Sequence, residues 1–183
     1  GDPFVQTPGV IPAGLSYYDY ACPASCTSQW KDNVTVFAGL LHMHQVGLRM
    51  QTVVRSKGVV IANQSVDYYS FANQDTLTFA PYTVSPGDEF FITCNYQTSA
   101  GSSVSFGQGS SEEMCIHFVY YYPAQASSSG AYCGLFACGF QSGKGTLATA
   151  YELQRDFGSY NDTCCGPRHC PPIINSSNVS STT

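Results

Sequence analysis

His42-Met43-His44 is the first place in the chain where two side chains could share one ion. The run before it, Phe37-Ala38-Gly39-Leu40-Leu41, reads as a buried strand. Side chains two apart on a strand share a face, so both imidazoles project together while Met43 points the other way into packing. Two imidazoles on one face are half of a copper or zinc site. The same pattern also describes a pair of hydrogen-bonded surface histidines. A second element, Glu112-Glu113-Met114-Cys115-Ile116-His117-Phe118-Val119-Tyr120-Tyr121-Tyr122-Pro123, has strong strand propensity. As a regular strand it sets Met114 on one face with Ile116 and Phe118, and Cys115 on the other with His117 and Val119. Met114 alone is ordinary core filling. Beside two imidazoles its thioether is a soft ligand that favours Cu(I) over zinc.

The elements that must position these residues are short β-branched and aromatic runs: Val34–His44, Leu48–Arg55, Val59–Ala62, Thr76–Phe79, Glu89–Tyr96, Val104–Phe106 and Met114–Tyr122. Turn residues separate them at Ser56-Lys57-Gly58, Ser85-Pro86-Gly87-Asp88 and Ser99-Ala100-Gly101. That spacing predicts an antiparallel sandwich or jelly roll. Residues 1–15 carry Pro3, Pro8 and Pro12 and read as an extended arm. Thr146–Phe157 fits helix and strand periodicity alike. The expected organisation is an arm (1–15), a sandwich domain (16–140), a cysteine-rich extension (141–170) and a polar tail (171–183) with little apolar surface to bury.

Only 10% of the 183 residues are charged, against about 25% in an average soluble protein. Five N-glycosylation sequons, at Asn33, Asn63, Asn161, Asn175 and Asn178, would supply solubility from sugar instead. Nine cysteines point to an oxidising compartment and a disulfide framework, and hence to a secreted protein. Cys22 and Cys26 also have a tolerable zinc spacing, but adjacent Cys164-Cys165 and the sequons favour disulfides. Nine is odd, so at least one thiol is free or joined to another chain. A net charge of −5 with seven Lys and Arg excludes the clustered basic surface that nucleic acid or an anionic membrane requires. No window approaches the roughly 18 apolar residues of a membrane span. The chain opens at Gly1 without methionine, as expected where a signal peptide is removed or not included.

Several motifs in order resemble one family. His42-Met43-His44-Gln45-Val46-Gly47-Leu48-Arg49, then Val84–Glu89 and Thr93–Thr98, then Glu113-Met114-Cys115 about seventy residues after the histidines, and Tyr121-Tyr122-Pro123, are similar to the C-terminal domain of the copper type II ascorbate-dependent monooxygenases, the dopamine β-monooxygenase and peptidylglycine monooxygenase family. They lie closer to the dopamine branch, and the similarity covers roughly Leu15 to Cys138. The resemblance implies an all-β, antiparallel, disulfide-bonded jelly-roll-like sandwich of about nine strands. It implies one copper ion held by His42, His44 and Met114, where oxygen is activated, with ascorbate as electron donor if the domain is catalytic. It further implies a Cys94–Cys115 bridge, a Cys22–Cys133 bridge, and a partner for Cys26 among Cys164, Cys165 and Cys170.

Two departures bear on function. Family enzymes carry a preceding three-histidine domain that delivers an electron; here only His117 and His169 remain besides the pair. The peptide-selective branch grips its substrate with an arginine two before the first histidine and a tyrosine four after the methionine, and these positions are Leu40 and Phe118. Two functions follow as expectations. One is an extracellular copper-binding oxygenase half that needs a neighbouring domain for turnover, so that enzymatic activity of this chain alone stays open. The other is a glycosylated structural subunit of an extracellular assembly, in which the arm and the apolar step Pro171-Pro172-Ile173-Ile174 serve self-association.

Overall fold

The computed structural model describes residues 10–124 and 140–149. Ten strands and one short helix follow in chain order: β1 Val10–Ile11, β2 Gly14–Cys22, α1 Ala24–Thr27, β3 Val34–His42, β4 Gly47–Ser56, β5 Val59–Val66, β6 Leu77–Val84, β7 Glu89–Thr98, β8 Val104–Ser105, β9 Ile116–Tyr122 and β10 Phe140–Thr146. They form a five-stranded sheet in the order β10-β2-β7-β4-β5, a three-stranded sheet β6-β3-β9, and the two-stranded pair β1-β8. Every strand pairing is antiparallel. This is the expected all-β sandwich.

Turn chemistry fixes the hairpins. Lys57 (φ 50°) and Gly58 (φ 81°) both take left-handed backbone between β4 and β5, as a tight hairpin turn requires. Between β6 and β7, Pro86 precedes Gly87 at φ 93° and Asp88 N–H donates to Ser85 O at 3.0 Å, the signature of a type II turn.

The two larger sheets share their core. Leu41 and Met43 from the three-stranded side cluster with Tyr18, Tyr20, Met50, Cys94 and Tyr96 of the five-stranded sheet. Nearer the other end Val34, Val36 and Val84 meet Cys22, Val54 and Phe90. The expected Cys94–Cys115 bridge is present, with α-carbons 6.0 Å apart, and it ties β7 to the segment just before β9. Cys22 and Cys26 are disulfide-bonded as well; Cys133, Cys138, Cys164, Cys165 and Cys170 lie outside the described residues.

Three differences from the sequence reading matter for the site. First, β3 ends at His42 and β9 begins at Ile116, so His44 and Met114 stand beyond the paired strands. Second, β2, whose Ser-Tyr-Tyr-Asp-Tyr run holds few β-branched residues, is an interior strand of the five-stranded sheet, paired with β10 on one side and β7 on the other. Third, β3 carries a bulge between Val36 and Ala38. Upstream of it the inward residues are Val34 and Val36, and downstream they are Leu41 and Met43. The extra residue shifts the alternation by one. Without that shift His42 and His44 would continue the inward series of Val34 and Val36.

The described part of the arm folds back on its own domain. Val10 and Ile11 pair with Ser105 and Val104, and Ile11 is fully buried. The segment 171–183 lies outside the described residues.

Candidate metal centre

The β3–β9 ladder delivers two histidines to one end of the three-stranded sheet. His42 pairs with Ile116 at the last rung, and His44 follows two residues later. Their rings meet edge to face, with centroids 5.1 Å apart and planes at 87°, while Met43 between them is fully buried. The structure therefore brings His42 and His44 together and turns Met43 inward.

Each imidazole is held through Nδ1 and not by the other ring. His44 Nδ1 lies 2.9 Å from the carbonyl oxygen of Glu112, which can only accept, so Nδ1 carries the proton and Nε2 holds the free lone pair. His42 Nδ1 lies 2.5 Å from Gln74 Oε1 and is placed in the same tautomer. Histidines that bind metal ordinarily donate their second ring nitrogen to a carbonyl or carboxylate in this way. Burial, partly offset by the Gln74 contact and reinforced by the neighbouring His44, pulls the His42 pKa below its ordinary value. A lowered pKa favours the neutral, ligating form.

Met114 is half-buried and stands next to the carbonyl that holds the His44 ring. Met114 lies two residues before Ile116, the partner of His42 at the last rung, as His44 lies two residues after His42. Its main chain is held at both polar atoms: Met114 N–H donates to Glu113 Oε2 at 3.2 Å, and Tyr96 O–H donates to Met114 O at 2.7 Å. Among the described residues no group of three His, Cys, Asp or Glu side chains is poised for a metal. Two imidazoles with a thioether would suit Cu(I) better than zinc.

Glu113 is 1% exposed. Its carboxylate accepts from His44 N–H (Oε2, 2.9 Å) and Val46 N–H (Oε1, 2.7 Å) in addition to Met114. Burial raises its pKa; the three backbone donors and the nearby His44 pull the other way. Tyr69 holds the same loop from the opposite side: Met43 N–H donates to its hydroxyl at 2.9 Å, and that hydroxyl donates to Met43 O. Burial pushes the Tyr69 phenol up to about 12, so it stays protonated. Glu113 was visible in the sequence as part of Glu-Glu-Met, but its role was not. Gln74 and Tyr69 sit in the loop between β5 and β6, where nothing in the sequence marks them.

The approach to the pair is apolar. Phe118 packs 5.9 Å from the His42 ring and Phe71 5.6 Å from the His44 ring. Leu40 is the direct cross-strand neighbour of Phe118. The remaining histidine of β9, His117, faces the interior with both ring nitrogens sealed and unpartnered, and burial drives its pKa down to about 4. It lies over Gly39, where a Cβ would come within 2.5 Å of His117 Nε2.

The described residues thus form an antiparallel sandwich with two imidazoles, each held through Nδ1, at one end of its three-stranded sheet. Residues 4–135 match the family model of the copper type II ascorbate-dependent monooxygenase C-terminal domain, and the chain belongs to that family. It is 36% identical over 107 residues to tyramine beta-hydroxylase of Caenorhabditis briggsae, covering 56% of this chain and 18% of that protein. It is 34% identical over 133 residues to MOXD1 homolog 1 of Drosophila melanogaster, covering 67% of this chain and 18% of that protein. Against dopamine beta-hydroxylase of Canis lupus familiaris it is 33% identical over 109 residues, covering 56% and 17%. The chain thus spans less than a fifth of these larger relatives. Among the described residues no helix is long and apolar enough to cross a membrane.

Proposed function

We propose that this domain is the oxygen-activating half of a secreted, ascorbate-dependent copper monooxygenase, with one copper ion held by His42 Nε2, His44 Nε2 and the Met114 thioether. The observation that carries the reading is the occupation of both Nδ1 atoms by carbonyl acceptors, which leaves both Nε2 lone pairs for a metal. When bound, copper supplies the redox chemistry that puts one atom of O2 into an activated C–H bond and releases the other as water, at the expense of two electrons and two protons. The protein's own part is to keep two imidazoles and a soft donor on one face, beside an apolar wall of Leu40, Phe71 and Phe118. The two electrons come from a neighbouring domain, in keeping with the greater length of the relatives. Leu40 and Phe118 offer no charge or hydroxyl to a peptide carboxylate, which argues against peptide amidation.

The test is metal analysis and Cu(I) titration of the full chain secreted from a eukaryotic host, followed by ascorbate-dependent oxygen uptake in the presence of an electron-delivering partner domain. The expected result is one copper per chain, with binding lost in the His42→Ala/His44→Ala double variant. Folded wild type that binds Cu(I) no more tightly than the double variant would overturn the reading.

A further inference from the structure

Strand pairing between β3 and β9 stops at His42–Ile116, yet two of the three proposed ligand residues, His44 and Met114, lie beyond it. Regular continuation would join those two backbones through their own amides and carbonyls. A side chain does so instead. The Glu113 carboxylate reaches across to His44 N–H and Val46 N–H and turns back to Met114 N–H. Glu113 is itself moored on its far side, where its N–H donates to Ser105 O at 2.9 Å and its carbonyl accepts from Gly107 N–H at 3.0 Å. Tyr96 completes the clip by holding the Met114 carbonyl.

We propose that Glu113 is a positioning residue of the metal centre: one buried carboxylate fixes the backbone of His44 and the backbone of Met114 relative to each other. The proposal rests on the copper reading for what the two side chains hold, whereas the clip itself needs no metal. Both carboxylate oxygens are engaged by N–H donors, so Glu113 is not a ligand. A carboxylate is required because it presents acceptors in both directions and no donor. Glutamine would turn an NH2 group toward amides that can only donate. Aspartate is one methylene shorter and cannot span from Met114 to Val46. With both polar atoms of the Met114 main chain held, the thioether is the part left free to meet an ion opposite His44.

Glu113→Gln and Tyr96→Phe in the full 183-residue chain test this. Two readouts are needed: copper K-edge scattering of the Cu(I)-loaded protein, which separates sulfur from nitrogen donors, and amide hydrogen exchange of the metal-free protein. In wild type the His44, Val46 and Met114 amides are expected to be protected and a Cu–S contribution to be present. In Glu113→Gln the amides left facing the NH2 group should lose protection and the Cu–S contribution should fall while the imidazole scattering stays. Cu(I) affinity should drop by about 10-fold or more, the usual scale for groups that orient ligands. Tyr96→Phe keeps the carboxylate and should weaken the Cu–S contribution alone, which covers the case of Glu113→Gln failing to fold. A folded Glu113→Gln protein with unchanged Cu–S scattering and affinity overturns the proposal, as do wild-type amides that exchange freely. Wild type with protected amides and no Cu–S contribution would sink the copper reading and leave the clip standing.

Discussion

Both sheets bury a carboxylate, and they treat it differently. At the site end of the three-stranded sheet, Glu113 accepts from three backbone N–H groups. In the five-stranded sheet, Asp19 is equally buried but accepts one bond, from Thr93 Oγ1 at 2.7 Å, and its Oδ2 has no hydrogen-bond partner. Burial pushes Asp19 up to about 6. The first carboxylate joins two segments beyond the end of their strand pairing, alongside the His44 Nδ1 contact with Glu112 O; the second sits where β2, β7 and β10 are already laddered together. Burial costs a carboxylate in either place, so what decides its worth is how many donors would be stranded by its removal. His117 extends the series to zero partners.

The largest effect expected is for Glu113→Ala, which strands three buried N–H groups and should lower stability by on the order of 4 kcal/mol. Urea denaturation of the metal-free protein measures it. A loss below about 1 kcal/mol would show that the loop closes without the carboxylate and would erase the contrast with Asp19.

His117 comes next. Its folded pKa lies below its ordinary 6.5, at about 4, so its contribution is complete above pH 6.5 and is lost as pH falls toward 4. That window is worth about 3 kcal/mol at 1.36 kcal/mol per pKa unit. His117→Leu should remove it. Asp19 acts with opposite sign: its folded pKa is raised from 3.8, so stability is greatest below pH 3.8 and declines as pH climbs through about 6. Asp19→Asn should gain about 3 kcal/mol at pH 7.5 and nothing near pH 4. Between pH 4 and 6 the two groups oppose each other in wild type. Each variant should therefore expose a slope, rising with pH in Asp19→Asn and falling in His117→Leu. Melts across that range that stay parallel for all three proteins would exclude both assignments.

The smallest effect concerns the space over Gly39. A methyl group there meets His117 Nε2, and Gly39→Ala should cost about 1 kcal/mol, the low end for overpacking. In a His117→Ala background the cost should vanish, and a double-mutant cycle on thermal midpoints reads the coupling. An undiminished cost would place the clash with the backbone rather than with the imidazole.

Much of this was legible in the chain. Alternation in Val34–His44 and Met114–Tyr122 signals strands, and His-x-His signals a shared face, because both follow from a two-residue repeat. The Cys94–Cys115 bridge was implied by the family resemblance. The clip was not legible: Tyr69 and Gln74 come from the β5–β6 loop and Tyr96 from β7, and a hydrogen bond between distant side chains and backbone leaves no periodic trace. β2 escaped for a related reason, since its place in the sheet is set by β7 and β10 and not by its own propensity.

By itself the sequence supplied the donor types on which the copper proposal rests: two imidazoles two residues apart, and a thioether preceded by a carboxylate. Tertiary structure alone decided which way those groups face. The bulge between Val36 and Ala38 reverses the alternation of β3, so that Leu41 and Met43 enter the core and the histidines take the alternate positions. A repeat of two is indifferent to a shift of one residue when the strand is read in isolation. Only packing of the two sheets, with Val34 and Val36 buried at one end and Met43 at the other, makes the inserted residue necessary.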